Sequence, residues 1–572
     1  MATVGRALLS AVCVLYLTVV SVWLVIMPPF EGPDELHHYD YARYVAVTGH
    51  LPDRVPATAT EGGWYTGLWT QEGLYYWVYG NVLRWIGVGD AAITMVESPS
   101  SMFRGGPDAP LLQHVSPPPG PLASGLRVGR LASAAFGLGT IICVFITLAH
   151  VTGSPTLAAL ATAALILVPE FGVRHAFVTN DTLVTLFGSV ASALAMRWTL
   201  RRRWWFATAI GAATGGAIAT KLTAGTLTLL PIARFVQRRE PGQGAAAHNP
   251  RHLTAWAIGL TAAGAWPFVR NWIVFGDPLA TRLKLQVIRL LDSPVVFDAS
   301  NVESYLTFGR LFFRTFWASI GWAGFGPPAG WVWTLYTVMT VLLGACAVIA
   351  GVAALRETMR SAGETASRSL SGRGAAILCS VIVVSHAIVM LVALPFSGTS
   401  RYLLPITVPL LVLAALGAQR LAAIWRSWVP AVPVVWVGSG GVLALALAWI
   451  ETVRATAHAF QVIAVATVVS IPASVSSQGP GSPVGLRAVV SGTTVTLTWT
   501  APTSGGPPSS YVVEAGSRSG RSDLAAIDTN SIETRFVATS VPAGDYVARV
   551  RAVNAVGAGL PSNEVRVTVP VD

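Results

Sequence analysis

The segment Pro28-Pro29-Phe30-Glu31-Gly32-Pro33-Asp34-Glu35-Leu36-His37-His38-Tyr39-Asp40-Tyr41 follows directly on an apolar run, Ala7 to Met27. The run is long enough to cross a bilayer and too long for a signal-peptide core, and no small-residue cleavage site follows it. It reads as an uncleaved membrane helix. The segment after it crowds acids and histidines against the membrane surface. Pro33 suits the first turn of a helix, and acids beside it complement the helix dipole. Asp34 and His38, four apart, share one face of that helix. Two carboxylates and a histidine so placed are a candidate general base or metal site. The competing reading is a charged helix start that caps the interface.

Composition extends the membrane reading to most of the chain. The 572 residues are 53% hydrophobic and only 11% charged, with mean hydropathy +0.58. A soluble domain carries about 25% charged residues, so a soluble enzyme and a disordered protein are both excluded. The net charge of +11 is carried almost wholly by Arg, Lys221 and Lys284 being the only lysines. In a membrane protein such charge marks cytoplasmic loops rather than a nucleic-acid partner. Arg over Lys, with abundant Ala, Val and Gly, is the composition of a GC-rich bacterial genome. Cys13, Cys143, Cys346 and Cys379 lie in apolar runs and read as inert core thiols.

The expected fold is a polytopic α-helical membrane domain over residues 1–455, with about eleven spans. A large extracytoplasmic first loop, residues 28–124, is rich in Pro, Gly, Trp and Tyr and is expected to carry interfacial helices. Further spans are expected at Leu126–His150, Thr156–Val173, Thr182–Leu200, Trp204–Thr220, Leu222–Val236, Leu253–Val274, Trp331–Leu355, Ala375–Pro395, Tyr402–Ala422 and Val429–Ile450. With the N-terminus inside, the cytoplasmic connections include Arg201-Arg202-Arg203, Arg234 to Arg251 and Arg356 to Arg373, the most basic short loops in the chain. Every chemically suggestive segment then falls on the outer face.

Residues 456–482 read as a linker, and 483–570 as short alternating strands separated by turn residues. Val495-Thr496-Leu497-Thr498-Trp499 puts apolar residues on one face and threonines on the other. About ninety residues of such strands without cysteine read as a β-sandwich. The segment resembles a fibronectin type III domain. The resemblance rests on Trp499 in the second strand, Tyr511-Val512-Val513 in the third, and Tyr546-Val547-Ala548-Arg549-Val550-Arg551-Ala552-Val553-Asn554, with Tyr546 at the family's tyrosine corner. No Arg-Gly-Asp is present in it. A spacer or a contact module is implied, outside the membrane.

Four more membrane segments carry candidate chemistry. Asn180-Asp181 stands where an outer loop enters a span, and an acid at that depth is costly unless paired or lining a polar cavity. The alternative is a helix N-cap with Asp181 in the first turn. Arg270-Asn271 lies near the outer end of an apolar run, ahead of the turn Gly276-Asp277-Pro278. Arg401-Tyr402 opens a span from the outer side, against the positive-inside trend, and an anionic lipid phosphate is a reason for it. Lys221 is a similar cation. For Arg270, Lys221 and Arg401 alike, snorkelling to the headgroups is the competing reading.

Together these segments resemble the GT-C superfamily of membrane glycosyltransferases. Within it, the chain is similar to a bacterial membrane-protein family marked by P-D-E-x-x-H after the first span, here Pro33 to His38. Leu74-Tyr75-Tyr76, Asn180-Asp181, Gly216 with Lys221, Arg270-Asn271, Phe316-Trp317 with Gly321-Trp322, and Arg401-Tyr402 complete the ordered set. The Gln71-Glu72-Gly73 before Leu74 replaces prolines common in relatives. The resemblance implies a polyprenyl-phosphate-linked sugar as donor, inverting transfer, and a glycan, glycolipid or protein acceptor. It implies Asp34 as general base, with Glu35 supporting it. Arg401 would hold the donor phosphate, helped by Lys221 and Arg270. Asn180, Asp181, Asn271 and Tyr402 would contact substrate. Asp34, Glu35 and His38 would be ligands if a divalent metal ion takes part.

Two other classes fit less well. A transporter or flippase of lipid-linked sugars calls for polar residues at mid-membrane and an internal repeat, and neither is evident. A non-catalytic surface-binding protein would need one anchor, not many. No Walker A loop, G-x-S-x-G or H-E-x-x-H is present.

Overall fold

A computed structural model describes residues 2–53, 55–56, 60–61, 64–65, 67–88, 121–197, 204–232, 250–290, 300–320, 327, 329–360, 372–393, 399–428, 434–468, 480–504, 508, 510–529, 531–554 and 557–570. The chain divides into two compact units, Met1–Thr467 and Val468–Asp572.

The first unit is a helical bundle. It opens with α1 (Ala2–Ile26), α2 (Glu35–Thr48), α3 (Leu74–Trp85), α4 (Pro121–Thr152), α5 (Pro155–Ile166), α6 (Pro169–Arg174), α7 (Asn180–Met196) and α8 (Trp204–Thr220). Later helices include Pro250–Gly264, Trp266–Phe275, Thr281–Leu290, Val302–Trp317, Gly330–Arg360, Gly372–Ala393, Thr407–Trp428 and Val434–Val468. Among the described residues, six helices are long and apolar enough to cross a membrane, starting at Thr3, Ala123, Gly330, Gly372, Ser400 and Gly438. Helices lie under the remaining expected spans too, but several are short or broken. Arg201-Arg202-Arg203 and most of the two other basic connections lie outside the described residues, as does Gly321-Trp322.

Proline makes the breaks. The expected span Thr156–Val173 divides at Leu167-Val168, because Pro169 has no N–H to continue the ladder. Leu253–Val274 divides at Ala265, ahead of Pro267. Leu222–Ile232 is a 3-10 helix with Pro231 inside it, and Ser400–Ile406 is another with Pro405 inside. Each interruption except that at Pro231 adjoins a charged residue discussed below. The final helix runs on to Val468, through the first part of the stretch expected as linker, since Glu451 to Val468 keeps the composition of a helix without Gly or Pro.

Glycines set how closely the bundle packs. A Cβ on Gly211 of α8 would fall 2.0 Å from the Trp256 carbonyl oxygen, and one on Gly259 would fall 2.1 Å from that of Thr208. These two helices meet backbone to backbone, the close approach that small residues allow between membrane helices. Over one end of the bundle, α2 and α3 of the first loop form an aromatic layer. Tyr41 stacks on Tyr76 at 3.9 Å, and the Tyr79 hydroxyl donates to the Gly125 carbonyl of α4 at 2.9 Å. The start of α4, the α6–α7 junction, α7 and α8 all meet this layer.

The second unit is a β-sandwich. Strands Val484–Ser491, Thr494–Thr500 and Arg535–Ala538 form one sheet. Ser510–Gly516, Ala525–Asp528, Gly544–Asn554, Gly557–Pro561 and Val565–Val569 form the other. Their inward residues make one core, in which Trp499 meets Tyr511 edge to face at 5.1 Å. The Tyr546 hydroxyl donates to the Pro542 carbonyl at 2.8 Å, which is a tyrosine corner. Glu514 is clamped by Arg549 and Arg551 from the neighbouring strand.

Candidate functional site

Asp34 occupies the N-cap position of α2, yet it does not cap. Its backbone is left-handed, φ 63°, and its side chain accepts no bond from the helix. Asp is one of the few residues that tolerates this conformation. The carboxylate points away from the helix and accepts from Arg401 Nη1. Gly32, two residues earlier, lies so close to Phe177 that a Cβ would fall 2.4 Å from the ring, which fixes the path of the chain into Asp34. The Asp34 and Arg401 side chains are 18% and 21% exposed, so this pair stands at a mouth rather than in the core. Burial pushes the Asp34 carboxyl up, but the adjoining Arg401 guanidinium outweighs it and holds the group well below the usual carboxylate range.

One turn on, His38 faces the same site. Its Nδ1 pairs with the Tyr76 hydroxyl at 2.8 Å and its Nε2 with Thr179 Oγ1 at 3.3 Å. Burial outweighs the attraction of Asp34 and Asp181 and brings its pKa down to about 3. The ring is therefore neutral, and its two bonds tie α2 to α3 and to the start of α7.

Asp181 lies deeper. Thr179 caps α7, accepting from the Asp181 N–H at 3.2 Å, so Asp181 does sit in a first turn. Its carboxylate nevertheless does more than complement a dipole. One oxygen takes Lys221 Nζ and the other faces Arg174 Nη1 at 3.4 Å. Arg174 in turn donates to Glu170 at 2.5 Å. Asp181 is 1% exposed and Lys221 7%, so this is a buried charge chain. Such charges persist in apolar surroundings only when paired. Asn180 donates to the Thr220 carbonyl at 3.3 Å and to Gln71 at 3.4 Å. The Tyr402 ring has Lys221 Nζ 4.8 Å and Arg401 Cζ 5.4 Å from its centre, so it stands against both cations. The structure thus brings Asp34, His38, Asn180, Asp181, Lys221, Arg401 and Tyr402 together.

It does not bring Glu35, Arg270 or Asn271 to them. Glu35 turns the other way and takes Arg130 Nε and Nη2 at 2.8 and 2.6 Å, with the Phe30 and Val178 N–H groups each at 2.9 Å. Arg130 also donates to the Met27 and Pro28 carbonyls, both at 2.7 Å. This pair latches the first loop onto α1 and α4. The metal triad expected at Asp34, Glu35 and His38 is consequently not assembled: Glu35 is spent on Arg130, and His38 on Tyr76 and Thr179. No group of three metal-ligating side chains occurs among the described residues. Arg270 donates to the Pro52 carbonyl and stands over the Phe275 ring. With Asn271 it lines a separate pocket, which also includes Tyr41, Trp69 and Glu72.

Arg130, Glu170 and Arg174 escape a reading of the sequence. Arg130 carries the same signal as Arg270, a lone cation in an apolar run. Glu170 and Arg174 sit four apart at the end of an expected span, opposite charges on one helix face. Both line a cleft together with Arg401. Its walls are otherwise mostly apolar, including Leu165, Phe171, Phe316, Leu404 and Leu411. A mostly apolar cleft lined by two arginines and a glutamate fits an amphiphile with an anionic head.

Comparison with known proteins bears on both units. Residues 123–264, from α4 to the end of Pro250–Gly264, match the family model described as dolichyl-phosphate-mannose-protein mannosyltransferase, of GT-C type. The matched segment holds Arg130, Glu170, Arg174, Asn180, Asp181 and Lys221. Residues 481–568 match the fibronectin type III domain. Among solved structures, a fibronectin-III-like protein from Clostridium thermocellum is 34% identical, with 16% of this chain and 95% of that chain covered and a TM-score of 0.14. Titin domains A168–A170 are 26% identical, with coverage of 16% and 32% and a TM-score of 0.14. The FN5 domain of Drosophila Lar is 22% identical, with coverage of 16% and 99% and a TM-score of 0.14. No curated protein matches the chain. The two family matches support a multi-pass membrane glycosyltransferase that draws its sugar from a polyprenyl phosphate and carries a C-terminal fibronectin type III domain.

Proposed function

We propose that this glycosyltransferase works by inversion at the extracytoplasmic face of a bacterial plasma membrane, with Asp34 as general base. The acceptor is a cell-wall glycan, a glycolipid or a protein. The observation that carries this reading is the ion pair of Asp34 with Arg401, whose side chain lines a mostly apolar cleft. A polyprenyl chain is apolar and its phosphate anionic, so the cleft and Arg401 match the two halves of the donor. Asp34 pairs with the same guanidinium and is partly exposed, where a hydroxyl can reach it.

The chemistry follows from that placement. The acceptor oxygen attacks the anomeric carbon from the side opposite the phosphate, and Asp34 takes its proton. The bond from that carbon to the phosphate oxygen breaks, and the electron pair leaves with the polyprenyl phosphate. Arg401 stabilises the charge on the leaving oxygen, with Lys221 adding to the field. Asp181 is too buried to receive an acceptor proton. Its role is to hold Lys221 and Arg174 in place, while Asn180 and Tyr402 are placed to contact the sugar. Arg270 and Asn271 have no part in holding the phosphate.

The N-terminus inside and the C-terminal domain outside agree with the Arg-rich connections, which then face the cytoplasm. The test is to offer purified protein radiolabelled polyprenyl-phosphate sugars with cell-wall, glycolipid and peptide acceptors. Transfer from at least one is expected. A folded protein that binds none of the donors and transfers from none would overturn the reading.

A further inference from the structure

We propose that His386 is a positioning residue for the donor phosphate, setting Lys221 and Arg401 against one another from inside the membrane. The inference rests on the reading of those two cations as phosphate ligands. His386 lies within the span Gly372–Leu391 and is fully buried. A histidine there is costly unless it is satisfied, and both ring nitrogens are. Nε2 meets the Tyr402 carbonyl at 2.7 Å, and Nδ1 meets the Thr226 hydroxyl at 2.8 Å. A carbonyl can only accept, so the proton is on Nε2, and Nδ1 accepts from Thr226.

Its two partners belong to the two 3-10 segments. Thr226 sits in Leu222–Ile232, whose first residue follows Lys221. Tyr402 sits in Ser400–Ile406 and follows Arg401. A 3-10 segment is a poor support, because its hydrogen bonds are strained and its register is easily changed. His386 joins both segments to one long, regular helix. Tyr402 carries that constraint to the cations, since its ring lies against both of them. One imidazole therefore ties together the two segments that carry the cations, while Asp181 and Asp34 pair with the charges themselves.

The test measures binding of a polyprenyl phosphate, and of the uncharged polyprenol, to the full chain in lipid nanodiscs. His386→Leu is expected to weaken polyprenyl phosphate about tenfold, the loss of a hydrogen bond that aligns a charged group, and to leave polyprenol unchanged. His386→Gln keeps a donor and an acceptor at similar reach and is expected to restore most of the affinity. Thr226→Val, nearly isosteric, removes only the hydroxyl that orients the ring. It is expected to weaken the phosphate about threefold, and it keeps the test open should the leucine variant fail to fold. Unchanged phosphate affinity in the variants that fold, or equal losses for phosphate and polyprenol, would overturn the role. A wild type that binds neither lipid would instead sink the reading of the cleft on which it rests.

Discussion

Replacing Asp34 by Asn separates catalysis from stability, because the two effects differ in size. The substitution keeps the shape of the side chain and removes its charge. The Asp34–Arg401 pair is about one-fifth exposed on each side. It falls between an exposed pair, worth about 0–1 kcal/mol, and a buried one, whose disruption costs roughly 3–5 kcal/mol. A stability loss of about 1–2 kcal/mol is therefore expected. Loss of a general base should lower turnover about 10²–10⁴-fold, which is roughly 3–5 kcal/mol on the barrier. Donor affinity should stay level or improve, since Arg401 no longer shares itself with a carboxylate. The assay is sugar transfer from a radiolabelled donor in nanodiscs, with kcat, donor KM and melting temperature measured on one preparation. Turnover within tenfold of wild type in a folded variant would refute the base. So would a lost activity that follows weaker donor binding alone, because Asp34 would then be a binding residue.

Three further outcomes are expected. Arg401→Ala should raise donor KM at least tenfold while Arg270→Ala leaves it unchanged, read in the same transfer assay; equal effects would remove the distinction between the cleft and the separate pocket. Glu35→Gln leaves Arg130 buried and uncompensated, so a loss of about 3–5 kcal/mol is expected, visible as a fall in melting temperature and in folded yield. In the C-terminal domain, Arg549 and Arg551 hold the Glu514 carboxyl below its ordinary range despite its desolvation. A depressed carboxylate contributes stability that is present above its unfolded pKa, about 4.3, and is lost as pH falls through the folded value. Acid unfolding of that domain, followed by tryptophan fluorescence, should accordingly show a shallower slope below pH ~4.3 in Glu514→Gln.

Much of this molecule is legible in its sequence, and the reason is local. A bilayer leaves the backbone no partner but itself, so apolar runs must become helices. Pattern alone thus locates the membrane helices, and period-2 alternation with Trp499, Tyr511 and Tyr546 locates the sandwich. Scarcity of charge also points to Asp34, Asp181, Lys221 and Arg401, since any ionised group near an apolar run needs a partner. What pattern cannot supply is which partner. Asp34 and Arg401 are 367 positions apart, and Glu35 and Arg130 are 95 apart.

Only the packing of broken helices decides between them. Adjacent in sequence, Asp34 and Glu35 look like one acidic pair. A left-handed turn at Asp34 sends one carboxylate to Arg401, and the first turn of α2 sends the other to Arg130. Arg270 and Arg401 likewise look alike as lone outer cations, yet only Arg401 reaches the cleft. Helix formation depends on hydrogen bonds four residues long, which sequence carries. Charge pairing depends on distances across the fold, which tertiary structure alone sets.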